Sequence, residues 1–230
     1  TSLVFRVVTG HALPARWEAR RRRRHEARSV RRRRLRHRTE NLAPARRLRL
    51  RLAGAAVRAA SPAGARVLDA GCQDGLLTRA LAADDRAGLT VVGVDRDRDA
   101  LDAGRTRRDA EELTNVLLAQ GDLLALPFRG TFDVALAMEC LAEIDDDAGA
   151  VRSLAAALRP GGTLLVHVPE ATWTPVLPGS PREWRFGVRH GYSAEELRTL
   201  LEEAGLEVVR ITGTCHAVVQ AAQELRDRYV

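Results

Sequence analysis

The sequence contains no lysine. It has 37 arginines instead. Together with the abundant alanine, this composition is typical of a GC-rich genome, so the arginines need not have been selected for the geometry of the guanidinium group. Its three cysteines, Cys72, Cys140 and Cys215, are too far apart for a zinc site or a disulfide framework, so we expect free thiols and no metal site. No window of about 18 residues is apolar throughout, and the first residues lack the apolar stretch of a signal peptide. We therefore expect a cytoplasmic chain without a membrane span.

Positive charge is concentrated near the N-terminus. Residues 16–51 hold seventeen arginines and three glutamates, a net charge of +14, whereas the whole chain carries +7, so the remainder carries −7. Residues 15–38 contain no Gly or Pro and favour a helix, but arginines would project on all sides of it. Three interpretations stay open: a solvated helix, a dock for an anionic substrate or a membrane surface, and an arm that binds nucleic acid. The last is less favoured because no aromatic residues are interleaved for base stacking.

The rest of the chain suits one sizeable domain. The 230 residues, 45% of them hydrophobic, are enough for a single core, and we divide the chain into an Arg-rich helical N-terminal extension, residues 1–60, and a domain, residues 61–230. Residues 2–8 are predicted as a short strand whose pairing partner the sequence does not identify. Apolar residues recur at helical spacing in residues 44–60, which predicts a helix packed on the domain.

The domain is organised around residues 66–75, where an apolar strand leads into a glycine-bearing turn and then a helix. Asp69 lies at the carboxyl end of the strand, and Gly71 and Gly75 allow the backbone to turn without a Cβ atom in the way. In an open α/β sheet this geometry opens a crevice at the end of the strand, where a nucleotide-like ligand can lie against the backbone.

The turn favours a ligand with positive charge. A dinucleotide site has the pattern G-x-G-x-x-G, which lets a pyrophosphate approach the helix, whereas this chain has Gln73 between its two glycines. The carboxylates of Asp69 and Asp74 would repel a phosphate but tolerate a sulfonium or an amino group. These residues favour S-adenosylmethionine.

A further carboxylate, that of Asp95, is predicted to bind a ribose. Residues 89–94 form the next predicted strand, and Asp95 follows it about 20 residues after the glycine turn, where it can accept hydrogen bonds from both ribose hydroxyls. The alternative role of a helix N-cap or first-turn acid is equally open to Asp97 and Asp99.

Three segments carry a family resemblance. The run from Asp69 to Gly75 resembles motif I of the class I S-adenosylmethionine-dependent methyltransferases (methyltransferase type 11-like). Residues 121–128, Gly-Asp-Leu-Leu-Ala-Leu-Pro-Phe, and the Arg-Pro-Gly-Gly turn at 159–162 are similar to segments of the same family. The resemblance covers about residues 62–212. It implies an α/β, Rossmann-like, doubly wound fold, with a mostly parallel sheet and helices on both faces.

The resemblance also implies a set of cofactor-binding residues. In such enzymes the acid at the position of Asp122 meets the adenine amino group, and the following residue, Leu123, packs on the ring or donates to it. Met138 and Glu139 follow the predicted strand of residues 131–137 and are expected to face the crevice at its carboxyl end. The complete predicted cofactor-binding set is Asp69, Gly71, Cys72, Gly75, Asp95, Arg96, Asp122, Leu123 and Met138.

The acceptor is expected beyond the end of the fifth predicted strand, residues 163–169. The following segment, residues 170–192, either borders the acceptor or forms a flap that closes the core. His167 is predicted to be a core residue rather than a base. The family often has Leu-Glu-His-Ile after its fourth strand, and the corresponding residues here are 141–144, with Glu143 in place of the histidine. The segment carries Trp173, Trp184, Phe186, His190 and Tyr192, and the candidate bases are Glu139, His190 and Tyr192, of which histidine suits pH 7 best.

The predicted activity is methyl transfer from S-adenosylmethionine to a small-molecule acceptor, which is anionic, lipid-linked, a glycan or a natural product. Alignment of donor and acceptor is the main requirement of such an in-line displacement. The alternatives are an RNA methyltransferase that uses the Arg-rich arm and a cofactor-binding scaffold without turnover. The antiparallel seventh strand of this fold is not evident, since residues 218–225 favour a helix. The sequence leaves the oligomeric state and the methylated atom open.

Overall fold

The computed structural model describes residues 2–8, 44–60, 63–83, 88–172, 174–178, 188–214 and 220. Most of the Arg-rich run, residues 9–43, lies outside this part of the chain, and so do Trp173, Trp184, Phe186 and Cys215. The predictions made for them stay predictions.

Seven strands form one sheet, flanked by five helices in the described ranges. The strands are β1 (Ser2–Val8), β2 (Arg66–Ala70), β3 (Thr90–Asp95), β4 (Val116–Gln120), β5 (Phe132–Met138), β6 (Leu158–Pro169) and β7 (Glu207–Thr214). The helices are α1 (Pro44–Ala60), α2 (Leu76–Ala82), α3 (Arg98–Ala110), α4 (Asp147–Ala157) and α5 (Ala194–Glu203), with short 3-10 turns at Leu123–Ala125 and Leu141–Glu143. The strand order is β4-β3-β2-β5-β6-β1-β7, and only β1 runs against the other six.

Two apolar cores lie on the two faces of the sheet. Val57 of α1, Leu81 of α2 and Leu101 of α3 belong to the core on one face. Leu154 of α4 and Leu197 of α5 belong to the core on the other face. Strands covered on both faces need continuous apolar runs, which is what β2 and β5 have. The predicted doubly wound α/β fold is confirmed.

Local capping interactions fix the starts of three helices. The side chain of Asp146 accepts a hydrogen bond from the Gly149 N–H at the start of α4. Ser193 and Glu196 form a reciprocal capping box at the start of α5. Asp97 is the N-cap of α3, so this role does not fall to Asp95. Among the described residues, no helix is both long enough and apolar enough to cross a membrane.

The turn predicted at residues 159–162 lies within strand β6. Leu158 already pairs with Phe132, and the register then shifts before Val134 pairs with Thr163. Gly161, with φ 78°, makes this irregularity possible because its left-handed backbone carries no Cβ atom. The strand therefore begins at Leu158 and not at Thr163.

The antiparallel strand of the sheet is β1. It lies between β6 and β7, with Leu3 opposite both Val168 and Gly213. The antiparallel seventh strand, which was not evident from the sequence after β7, is therefore present and is formed by residues 2–8, the strand for which the sequence identified no partner. Ser2–Val8 is part of the sheet and not of a helical extension, although residues 1–60 were assigned to one.

Candidate cofactor and acceptor site

The strand order reverses beside β2. The chain passes from β2 to β3 and β4 on one side and then returns to β5 on the other. At such a switch point a crevice opens beyond the carboxyl ends of the strands. Asp69, Asp95 and Met138 lie at these ends of β2, β3 and β5, so the structure brings three of the predicted residues to one edge.

The loop between β2 and α2, residues 71–75, is fixed to β3 and packed against the end of β5. The backbone N–H groups of Gly71 and Cys72 donate to the Val94 carbonyl oxygen at 2.8 and 3.1 Å. Gly71 has φ 69°, and a Cβ atom added to it would lie 2.5 Å from the Cβ atom of Cys140. The glycine therefore allows the loop to approach the residues that follow β5.

Gln73 keeps the path that a glycine would take. Its backbone is left-handed, with φ 51°, and its side chain is exposed, where Arg46 of α1 donates to its Oε1 atom at 3.4 Å. Motif I of the resembling family usually has a glycine where Gln73 stands, and here the larger side chain lies outside the loop. This contact between α1 and the loop was not predicted. Its signal in the sequence is the spacing of Arg46 and Arg49, which places both side chains on one face of the helix.

Asp95 holds the glycine loop and the start of α3 together. Its Oδ2 accepts the Gln73 N–H at 2.7 Å and its Oδ1 accepts the Asp97 N–H at 2.9 Å. A carboxylate oxygen can accept two hydrogen bonds, so each oxygen retains one acceptor position for a ribose hydroxyl. The residue type and position fit the ribose of S-adenosylmethionine.

The two acids of the turn have different surroundings. Asp69 is buried, accepts a hydrogen bond from the Thr78 hydroxyl at 2.6 Å, and has its pKa raised by burial to about 7. Asp74 instead pairs with Arg107 of α3 and accepts the Leu76 N–H at 3.2 Å. The prediction that both carboxylates act on a cationic ligand is therefore corrected, because Arg107 compensates the charge of Asp74.

Helix α3 packs closely against the loop of residues 71–75, a contact that was not predicted from the sequence. A Cβ atom added to Gly104 would lie 2.5 Å from the carbonyl oxygen of Asp74. The same carbonyl accepts a hydrogen bond from the buried Arg79, whose Nε also donates to Glu111 at 3.0 Å. A glycine inside a helical pattern is a known sign of close packing and was the available signal.

The turn after β4 carries the two residues predicted to meet the adenine, Asp122 and Leu123. Asp122 is exposed and accepts the Leu124 N–H at 2.9 Å, which starts the 3-10 turn. The side chain of Leu123 is buried in the core, and its packing on the adenine ring or donation to it stays a prediction. Cys72 is likewise buried, whereas Arg96 is exposed.

Glu139 and His167 form a hydrogen-bonded pair at the ends of β5 and β6. Glu139 has φ 67°, its backbone N–H donates to the His167 carbonyl oxygen at 2.8 Å, and its Oε1 is hydrogen-bonded to His167 Nδ1. The other ring nitrogen, Nε2, is 3.1 Å from the hydroxyl oxygen of Thr214. His167 is thus a buried, satisfied residue, as predicted, but its contact with a candidate base was not foreseen.

Tyr192 cannot act as the predicted base. Its ring is fully buried under the guanidinium of Arg189, and its hydroxyl donates to Asp147 at 2.9 Å. Burial raises the pKa of this hydroxyl further above its usual range. His190 is exposed, and its role stays a prediction.

The thiols of Cys72 and Cys140 are free, as expected. Burial raises the pKa of both, so neither is a thiolate near neutral pH. In the described part of the chain, no three His, Cys, Asp or Glu side chains come together as a metal site.

Comparison with known proteins assigns the family. The family described as "Methyltransferase domain" matches residues 27–211, well over half of the chain. The chain belongs to this family. The resemblance to the class I S-adenosylmethionine-dependent methyltransferases is confirmed, and so is S-adenosylmethionine as the cofactor of this methyltransferase.

Its relatives include enzymes named ubiquinone biosynthesis O-methyltransferase. The one from Thiobacillus denitrificans is 30% identical over 165 residues, 66% of this chain and 68% of that protein. The one from Ralstonia nicotianae is 38% identical over 108 residues, 44% of this chain and 41% of that protein. The methyltransferase therefore spans between about two fifths and two thirds of the length of these relatives.

Solved structures share the fold. The [4+2]-cyclase SpnF superimposes with a TM-score of 0.59 and 26% identity, over 70% of this chain and 58% of that chain. Phosphoethanolamine N-methyltransferase 2 of Haemonchus contortus, in complex with S-adenosyl-L-methionine, gives a TM-score of 0.54 and 26% identity, over 63% and 34% of the two chains.

Replacement of Asp95 should weaken cofactor binding by this methyltransferase. We expect Asp95→Ala to cost about 1.5–3 kcal/mol, a ten- to hundred-fold higher Kd for S-adenosylmethionine, since hydrogen bonds to a charged group are lost. Calorimetry on the folded variant measures this directly. Asp97→Ala is the matched control, because it removes an N-cap of the same helix but should leave the Kd unchanged. Equal Kd values for Asp95→Ala and the parent would refute the ribose assignment.

Replacement of Asp69 should stabilise the fold at high pH. Because the pKa of Asp69 is raised to about 7, its contribution to folding is complete below about pH 4 and is lost as the pH rises through 7. Asp69→Asn should remove this loss. A pKa raised by about three units corresponds to about 4 kcal/mol of folding free energy, and we expect the variant to recover about half of it, about 2 kcal/mol at pH 8, because the buried amide brings N–H donors that lack partners.

Urea denaturation between pH 4 and pH 8 tests this expectation. Asp97→Asn, an exposed acid whose capping role asparagine retains, is the control and should keep the pH dependence of the parent. A pH dependence of Asp69→Asn as steep as that of the parent would show that Asp69 is ionised in the native state throughout.

Proposed function

We propose that this methyltransferase transfers the methyl group of S-adenosylmethionine to a small-molecule acceptor held beyond the ends of β5 and β6. The proposal rests on one arrangement: the cofactor loop, fixed by Asp95, and the carboxylate of Glu139 lie under the same helix, α1. Arg46 contacts Gln73 of the loop and Arg49 lies 3.7 Å from Glu139, one helical turn further on. This shared helix supports a site in which the cofactor and the acceptor meet beside α1.

The bound cofactor supplies an electrophilic methyl group on a positively charged sulfur. The chain supplies position: Asp95 and the loop of residues 71–75 hold the nucleoside part, and Asp69 adds a buried carboxyl group beneath the loop. The relatives named O-methyltransferases support an acceptor of small-molecule size. Its class, anionic, lipid-linked, glycan or natural product, is part of the proposal, as is the cytoplasmic location.

The test is transfer of a radiolabelled methyl group from S-adenosylmethionine to a panel of phenols, carboxylic acids, glycans and total RNA. We expect label in a small molecule, and loss of that label in Asp95→Ala under subsaturating cofactor. Label in RNA alone, with retention on RNA that falls as salt rises, would instead favour the Arg-rich run as a nucleic-acid arm.

A second candidate function is a reaction that uses the same crevice without methyl transfer. The similarity to SpnF supports it, because SpnF has the same fold and is named a [4+2]-cyclase. The two functions differ in whether the cofactor is consumed. Tight binding of S-adenosylmethionine with no transfer to any member of the panel would favour this second candidate.

A further inference from the structure

Glu139 is held in an unusual backbone conformation directly beside the cofactor loop. A non-glycine residue at φ 67° costs free energy and persists only where the surroundings determine it. Here the following residue, Cys140, packs against Gly71, and the backbone N–H of Glu139 is bound by His167. This conformation directs the Glu139 side chain back over the end of β6.

The two carboxylate oxygens of Glu139 have different environments. Oε1 is hydrogen-bonded to Nδ1 of His167, which is almost completely buried. Oε2 lies 3.7 Å from Arg49 Nη1, beyond hydrogen-bonding distance, and accepts no hydrogen bond from any residue that the structure describes. One oxygen is therefore fixed and the other retains its acceptor capacity.

His167 is itself fixed at both ring nitrogens. The tautomer that satisfies all partners has the proton on Nδ1, which donates to Glu139, while Nε2 accepts from the Thr214 hydroxyl. Thr214 is the last residue of β7, so this hydrogen bond connects β6 to β7 across the intervening strand β1. The arrangement is that of a carboxylate held by an oriented imidazole, with its second oxygen on the side of Arg49 of α1.

We propose that Glu139 is the proton acceptor for a hydroxyl group on the acceptor molecule and that His167 is the residue that positions its carboxylate. This deepens the proposed function and rests on it. The acceptor O–H bond breaks and its proton passes to Oε2 of Glu139. The oxygen electron pair forms the new bond to the methyl carbon, and the pair of the broken carbon–sulfur bond remains on sulfur as a neutral thioether. The acceptor class is thus an alcohol or phenol that is protonated at neutral pH.

The test compares two acceptors, catechol and 4-nitrocatechol, whose hydroxyl is more acidic because of the nitro group. For Glu139→Gln we expect kcat/KM with catechol to fall about 100- to 10,000-fold, the range of general base catalysis, and with 4-nitrocatechol less than ten-fold. The Kd for S-adenosylmethionine, measured by calorimetry, should stay within two-fold. Glu143→Gln, which removes an exposed carboxylate four residues further along, is the control. It should leave kcat/KM with both catechols unchanged.

His167 is tested by its variants. His167→Leu should lower kcat rather than raise KM for catechol, and His167→Asn, which keeps an N–H donor near the Nδ1 position, should restore most of it. Nitrogen NMR of the parent should show His167 protonated at Nδ1, and this signal should shift in Glu139→Gln.

Three outcomes would overturn the proposal. The first is an equal loss on both catechols in Glu139→Gln, and the second is methyl transfer by the parent to amines but to neither catechol. The third is the absence of transfer to any acceptor while the cofactor binds, which contradicts the proposed function itself and this inference with it.

Discussion

Gly71→Ala is expected to raise the Kd for S-adenosylmethionine by more than a hundred-fold while the protein stays folded. The new Cβ atom would lie 2.5 Å from the Cβ atom of Cys140, a distance that real Cβ atoms essentially never show. The residue must also adopt φ 69°, which costs about 1 kcal/mol or more outside glycine. The loop must therefore move away from β5, and the Gln73 N–H then leaves Asp95.

Two further variants separate the steric effect from the backbone effect. Gly64→Ala introduces the same left-handed strain, with φ 75°, but at a site with no atom within 4 Å of the new Cβ. It should lose some stability and keep the Kd of the parent. In Gly71→Ala, the second change Cys140→Gly removes the clashing atom and should recover much of the affinity. A Gly71→Ala protein that binds like the parent would mean that the loop does not hold the cofactor.

Val4→Pro is expected to lower the free energy of unfolding by about 3 kcal/mol or more, because proline removes a ladder N–H from the middle of a strand paired on both sides. Val4 lies opposite His167 on β6 and opposite Thr212 on β7. One hydrogen bond of the ladder is lost, and the partner carbonyl is left unpaired inside the sheet.

Val4→Ala is the matched control for this variant, since it keeps the backbone N–H and changes only the side chain. Denaturation by guanidinium chloride should place Val4→Pro well below Val4→Ala. If the two variants unfolded at the same denaturant concentration, the pairing of β1 inside the sheet would be contradicted.

The parts of the fold that depend on nearby residues were predictable. The strand, glycine turn and helix from Arg66 to Ala82 follow from apolar spacing and two glycines, and the capping box at Ser193 from a pattern of four residues. The position of Asp95 was predictable because a parallel strand delivers its last residue to the same edge as its neighbour.

The parts that depend on distant residues were not. The pairing of Glu139 with His167 joins two strands whose register the sequence does not specify, and each residue alone has a more ordinary role. Tyr192 was a candidate base because the sequence does not show that its hydroxyl is bound to Asp147, which is 45 positions away. The compensation of Asp74 by Arg107 is equally non-local.

The place of β1 in the sheet has a consequence for how the chain folds. Ser2–Val8 is synthesised before both of its neighbours, which end at Pro169 and Thr214. At about 5–20 residues per second, the ribosome delivers the second neighbour roughly ten to forty seconds later. Until then at least one edge of this apolar strand has no partner, and closing the sheet requires contacts between segments about 200 residues apart, which are slow to form. The insertion of β1 between β6 and β7 is thus a late step of folding, before which the chain depends on protection from aggregation.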